Sequence, residues 1–111
     1  LLADDERLRD DSLDLMAESL LHQRAVYPAT APAIRLIRRL AGDPRVPGRP
    51  RLIRFLGVAA GVVGQATGQH GAEAREALAD LPALLRYLAS SDADPAVVEA
   101  ASEVIATVRP D

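Results

Sequence analysis

The sequence predicts an all-α fold in which helix pairs repeat and stack, an α-solenoid of about five helices in antiparallel pairs. Three observations carry that expectation. Leu52, Leu56, Ala59, Ala60 and Val63 have the same spacing as Val97, Ala101, Val104, Ile105 and Val108, 45 positions later. The segment before each of these also recurs: Leu36-Ile37-Arg38-Arg39-Leu40-Ala41 followed by Asp43-Pro44 parallels Leu84-Leu85-Arg86-Tyr87-Leu88-Ala89 followed by Asp94-Pro95. No segment alternates apolar and polar residues with the period of two that a half-buried strand requires.

The first helix is expected over about Asp5 to Gln23. Leu8, Leu15 and His22 fall seven apart, and Leu13, Met16 and Leu20 extend the same face. Asp4, Asp5 and Glu6 sit in its first turn, where negative charge is favoured by the helix dipole. Pro28 and Pro32 mark the start of the second helix, since proline lacks the amide donor that an interior position needs. Ala33, Leu36, Ile37 and Leu40 form its apolar stripe, with Arg35, Arg38 and Arg39 on the other side and Gly42 closing the helix as a left-handed cap residue would. Residues 43–50, with three prolines and a glycine, read as a loop.

The third helix is expected from about Pro50 to Thr67, burying Leu52, Phe55, Leu56, Ala59, Ala60 and Val63. Gly57, Gly61 and Gly64 lie inside it. Each costs about 1 kcal/mol relative to alanine, a cost that close approach of a neighbouring helix would offset. Gly68-Gln69-His70-Gly71 reads as a second loop. The fourth helical stretch, Ala72 to Ala89, contains Pro82, which predicts either a kink or two helices meeting at Leu81. The continuous face of Ala74, Ala77, Leu78, Leu81, Leu85 and Leu88 favours the kink. Asp94 before Pro95 is a helix-start signal, the carboxylate capping free amides and the proline sitting at the first helical position. The fifth helix then runs to about Val108.

Composition bounds the function. The chain has 111 residues, enough for one domain with a modest core, and 49% hydrophobic residues of which few are aromatic. Mostly Ala, Leu and Val, these suit close helix packing and offer little stacking surface for bases or sugars. With no cysteine there is no disulfide, thiolate nucleophile or Cys-ligated zinc, which fits a cytoplasmic protein. The first residues lack the basic start of a signal peptide. The longest uncharged apolar run, Phe55 to Gly64, is ten residues, against the roughly 20 a membrane helix needs. A chain that does not begin with Met is what a fragment of a longer protein would show.

All thirteen basic residues are arginine. Residues 1–18 hold seven acids and two arginines, 24–54 eight arginines and one aspartate, and 55–111 eight acids and three arginines. Such asymmetry points to binding.

Leu84-Leu85-x-x-Leu88, a short polar turn, Asp94-Pro95-x-Val97 and then Ala100-Ala101 resembles the HEAT repeat, in which a leucine cluster ends one helix and an Asp-Pro pair opens the next. Leu36 to Val63 resembles it more loosely, and His22-Gln23 with Val26-Tyr27-Pro28-Ala29-Thr30 is similar to a stretch of uncharacterised actinobacterial HEAT-repeat proteins. The resemblance implies an armadillo-like right-handed superhelix, divided as a leading half-repeat over 1–27 and repeats over 28–67 and 68–111. It implies binding rather than catalysis, because the family is united by shape. Where the family often has an arginine after the valine following Asp-Pro, this chain has Val98. That departure removes the usual arginine of the Arg-to-Asp ladder and leaves apolar packing to hold the repeats together.

Nothing in the residues points to catalysis, a metal or a cofactor. The two histidines, His22 and His70, have no metal-ligand spacing, and no nucleophile motif accompanies them. Asp10, Asp11, Asp14 and Glu18 read as a solvated acidic face. The candidate partner-binding residues are Arg51 and Arg54 on the polar side of the third helix, with Arg38, Arg39, Glu99 and Glu103. In a HEAT-like stack, helices 1, 3 and 5 line the concave surface, which puts an arginine centre between acidic flanks. An unidentified protein partner is the leading expectation. Nucleic-acid binding through the arginine-rich 24–54 segment, as in HEAT-like DNA glycosylases, is disfavoured by the acidic flanks and few aromatics. An accessory role like that of HEAT-like phycobilin lyases is weaker still. Val98 and Ile105 form a strip beside Val97, Val104 and Val108, so the fifth helix is expected to carry an open strip for self-association or for a following repeat.

Overall fold

Prolines and glycines divide the chain where the backbone amides run out of helical partners. The structure is a computed structural model and describes residues 7–15, 30–65 and 67–108, with Val108 through its backbone alone. Among the described residues there is a helical stretch over 7–15, α1, followed by α2 (Thr30–Ala41), α3 (Arg49–Val63), α4 (Gly68–Ala77), α5 (Leu81–Ser91) and α6 (Pro95–Val108), and no strand. The fold is all-α.

Gly48 precedes α3 with φ of +73°, a left-handed conformation that a Cβ would strain, and Pro50 enters the first turn, where its missing N–H costs nothing. At α6 the Asp94 carboxylate accepts the Ala96 amide at 2.9 Å, so the Asp-Pro start is realised as the sequence predicts. Gly42 is not left-handed as expected: its amide continues the helical pattern onto the Arg38 carbonyl at 3.2 Å, and the positive φ falls at Gly48 instead. Three boundaries differ from expectation. The third helix ends at Val63, not Thr67, because the Gly64 amide closes the last turn on the Ala60 carbonyl at 3.1 Å. Gln69, His70 and Gly71 are helical, not loop, because Gly68 turns the chain at φ of +84° and α4 starts there. Pro82 does not kink one long helix. The chain leaves α4 at Leu78, turns through residues 78–80 and restarts at Leu81 with Pro82 in the first turn, which spares the helix an interior proline. The predicted face survives the break: Ala74, Ala77, Leu81, Leu85 and Leu88 are all buried.

α3 packs against α2 and α6, and more lightly against α4. α2 also packs on α4, and α5 packs on α6. α1 lies along α3, with Leu13 buried beside Phe55 and Val58. Principal extents of 38 × 38 × 19 Å describe a slab whose thinnest dimension equals about two helix diameters. The radius of gyration, 13.5 Å, is that of a compact chain of this length, about 13 Å. The 45-residue correspondence holds in burial: Leu52 and Val97, Leu56 and Ala101, and Ala59 and Val104 are buried in both members of each pair.

Some stripes shift. In α2 the buried residues are Thr30, Ala31, Ile34, Ile37 and Ala41, whereas Leu36 is 52% exposed. The helix is rotated because α3 and α4 together occupy the side centred on Ile34. Leu8 and Leu15 are 66% and 69% exposed, leaving Leu13 as the buried leucine of α1; Met16, Leu20 and His22 lie outside the described residues. α3 buries Ile53 and Val62 beyond its predicted stripe, since it has helices on more than one side. Of its glycines, only Gly57 meets a neighbouring helix. A Cβ there would stand 3.1 Å from both Val104 methyls, while Gly61 has nothing within 4 Å and Gly64 meets only backbone of its own last turn.

Apolar packing does not act alone. Arg49 is buried at the start of α3, its Nε donating to the Ala41 carbonyl at 2.9 Å and its Nη2 to Asp92 Oδ2 at 2.6 Å, with Nη1 at 3.4 Å from Asp92 Oδ1. Asp92 Oδ1 also accepts the Asp94 amide at 2.9 Å. One guanidinium thus ties the end of α2 and the start of α3 to the turn between α5 and α6. The Arg49 hydrogen bond holds the Asp92 carboxyl below the usual range, against the opposing effect of burial, with the Asp94 amide contributing.

Candidate interaction face

The heptad-like spacing of Arg51, Arg54, Val58 and Gly61 places them along the ridge of α3 opposite Leu52 and Leu56. Both arginine side chains are about half exposed, at 48% and 50%. They turn to opposite neighbours. Arg51 pairs with Asp14 and, with Nε at 3.8 Å, with Asp10, both on α1. Arg54 Nε donates to Glu103 Oε2 on α6 at 3.1 Å. Arg9, also on α1, donates to the Pro47 carbonyl at 2.9 Å and so fixes α1 to the loop before α3. The structure therefore brings Arg54 and Glu103 together between α3 and α6, while Arg51, on the same ridge of α3, meets the acids of α1 instead. Glu99 is exposed one turn before Glu103 on α6.

A shallow groove lies on each side of the ridge. One, about 180 Å³, runs between α1 and α3 and is lined by Leu13, Asp14, Arg51, Arg54, Phe55 and Val58. The other, about 230 Å³, runs between α3 and α6 over Gly57, Val58 and Val104, with Arg54 and Glu103 at its rim. The absence of a side chain at Gly57 lets α6 come close and leaves Val58 as an apolar step between the grooves.

Arg38 and Arg39 are not part of this face. Both are on α2. Arg38 Nη1 donates to the Ala77 carbonyl at 2.9 Å and Nη2 lies 3.5 Å from Asp80, so it closes the end of α4. Arg39 is exposed. His70 is exposed on α4, and His22 and Glu18 lie outside the described residues. Among the described residues, no group of three or more His, Asp or Glu is placed to hold a metal ion, and no helix is long and apolar enough to cross a membrane.

Sequence reasoning missed two polar clusters. Arg49 and Asp92 are 43 positions apart, and nothing local marks Arg49 as buried or the two as a pair. Asp43 accepts the Arg45 amide at 3.0 Å and its Nε at 3.1 Å, and these bonds hold its carboxyl down at about 2 while raising the Arg45 guanidinium. The Asp43-Pro44-Arg45 order could have suggested this turn, in which the aspartate bonds the backbone two residues on. No protein-family model, curated protein or solved structure matches the chain.

Proposed function

We propose that the chain is a protein-interaction module, two HEAT-like helix pairs and a leading helix, that binds a partner protein across the α1–α3–α6 face. The observation that supports this most is the pair of half-exposed arginines, Arg51 and Arg54, bridged to acids on two different helices above grooves with an apolar floor. Exposed ion pairs contribute about 0–1 kcal/mol each, so acidic groups of a partner exchange with Asp14 and Glu103 at little cost while apolar side chains enter the grooves. Nucleic acid is the less favoured ligand. Asp10, Asp14 and Glu103 offset the local positive charge, and Tyr87, the exposed aromatic residue among those described, is on α5 rather than beside the arginines.

The test is affinity capture from nuclease-treated lysate of the source organism, with wild type beside Arg51→Glu/Arg54→Glu. A defined protein retained by wild type and lost by the double variant supports the proposal. Capture unaffected by the substitutions moves the interface off this face. Retention of nucleic acid alone, when nuclease is omitted, replaces the protein partner by a nucleic-acid one.

A further inference from the structure

A cavity of about 420 Å³ lies between the loop that leads into α3 and the turn that leads into α6, and it shares no lining residue with the α1–α3–α6 grooves. Its volume is in the range of ligand sites, about 300–1,000 Å³. The buried Arg49–Asp92 pair forms its floor. Pro44, Val46 and Pro47 line it from the loop, Tyr87 from α5 and Asp94 from the turn.

The groups already engaged decide which ligand it suits. Each nitrogen of Arg49 donates to the Ala41 carbonyl or to Asp92. At the start of α6, Pro95 has no N–H, the Ala96 amide is taken by the Asp94 carboxylate, and the Val97 amide by the Asp94 carbonyl. An anion would therefore meet donors that are already in use at both places. A cation meets the reverse. Two carboxylates and one guanidinium line the cavity. Asp92 is neutralised by Arg49, whereas Asp94 makes no ion pair among the described residues. Arg45, beside the cavity, is bonded to Asp43 and does not offset that charge. The ring of Tyr87 is 63% exposed, an aromatic face on which a cation can rest.

We propose that this cavity receives an arginine side chain of a partner polypeptide, its alkyl stem on Pro44, Val46 and Pro47 and its guanidinium between the Tyr87 ring and the Asp94 carboxylate. A planar guanidinium can stack on a ring and fork onto a carboxylate at once, which the point charge of lysine cannot. Pro44, Pro47, Tyr87 and Asp94 are all exposed, so the lining stands open instead of surrounding a free small molecule. That openness suits one side chain entering from a docked chain.

Heteronuclear NMR of the chain, titrated with N-acetyl-arginine amide as the probe, tests it. Amide shifts confined to residues 42–49 and 87–94 are expected to saturate with a Kd of about 1–10 mM. N-acetyl-lysine amide should bind at least about threefold more weakly, and so should free arginine, whose own carboxylate repels Asp94. Asp94→Asn removes the charge and keeps the cap of α6, since asparagine caps a helix as well as aspartate does. Tyr87→Leu removes the ring at an exposed position. Each should weaken the probe at least about threefold at unchanged far-UV circular dichroism. Arg51→Glu/Arg54→Glu binds the probe as wild type does, which separates this site from the partner-binding face. Absence of saturating shifts up to about 50 mM probe would overturn the proposal. Equal binding of the lysine probe, tighter binding of free arginine, or wild-type affinity in both Asp94→Asn and Tyr87→Leu would each overturn it as well.

Discussion

Replacing Asp92 by alanine removes the partner of a guanidinium that is only 6% exposed. Arg49 then keeps its bond to the Ala41 carbonyl and loses both contacts to the carboxylate, and the Asp94 amide loses its acceptor. A buried charge left without its counterion costs about 3–5 kcal/mol. For a domain of this size, about 1 kcal/mol moves the midpoint of thermal unfolding by about 4–6 °C, so the expected drop is roughly 12–30 °C. Arg49→Met alone leaves Asp92 partly buried but still bonded to the Asp94 amide, and is expected to cost less. The double variant Arg49→Met/Asp92→Ala should be more stable than Asp92→Ala, since no unpaired charge remains. Urea unfolding followed by circular dichroism gives all four corners of this cycle. A cost below about 1 kcal/mol for Asp92→Ala, the range of a surface pair, would refute the claim that this bridge ties α3 to the α5–α6 turn.

The same bridge sets an acid response. The folded-state pKa of Asp92 is lowered, so its contribution is complete above the unfolded value near 3.8 and fades as pH falls through the folded value. Stability measured from pH 6 downward should therefore fall below about pH 4 in wild type, with a smaller loss in Asp92→Asn. Gly57→Ala should destabilise by about 1 kcal/mol, because both methyls of buried Val104 block the new Cβ and a β-branched residue in a helix cannot rotate both away. Gly61→Ala, with open space at the Cβ, should stabilise by about 0.5–1 kcal/mol, and chemical denaturation of the two variants checks the opposite signs. Arg54→Ala should change stability by no more than about 1 kcal/mol, an effect that shrinks further in 0.5 M salt.

How much of this was legible depended on the range of the interaction. The Asp94-Pro95 start, the buried Leu52, Phe55, Leu56, Ala59 and Val63 of α3, and the inward Ala74, Ala77, Leu81, Leu85 and Leu88 of α4 and α5 follow from spacing within one or two turns and are found as predicted, whereas Ala60 and Leu78 are only partly buried. The rotation of α2 is not local. Ala33-Leu36-Ile37-Leu40 and Ile34-Ile37-Ala41 are both acceptable apolar stripes, and only the positions of α3 and α4 select the second. The continuous inward face favours a kink at Pro82, but that face survives either geometry, and the chain breaks into two helices there. Of the candidate residues, Arg54 and Glu103 meet because α3 and α6 lie side by side, an adjacency that the register anticipates, whereas Arg51 turns to Asp10 and Asp14 of α1. Arg38 differs only in what lies near it: α4 ends beside it, and its guanidinium completes that end.

The distribution of arginines separates two tasks that net charge alone conflates. Arg49 and Arg51 are two residues apart on α3, about 200° around the helix, so one points inward and the other to solvent. The inward arginine is enclosed and bonded at each nitrogen, so its loss acts on stability and not on the outer surface. The outward arginines are half exposed and paired with acids that are equally accessible, so their stabilising effect is small and their replacement leaves the core intact. A fold whose stability rests on Arg49 and the apolar seams leaves Arg51 and Arg54 free to be exchanged or recruited by a ligand. Hence a charge reversal at Arg51 and Arg54 should alter binding at unchanged unfolding midpoint within about 1 kcal/mol. A reversal that lowers binding and stability in proportion would mean that the arginine face serves the fold rather than a partner.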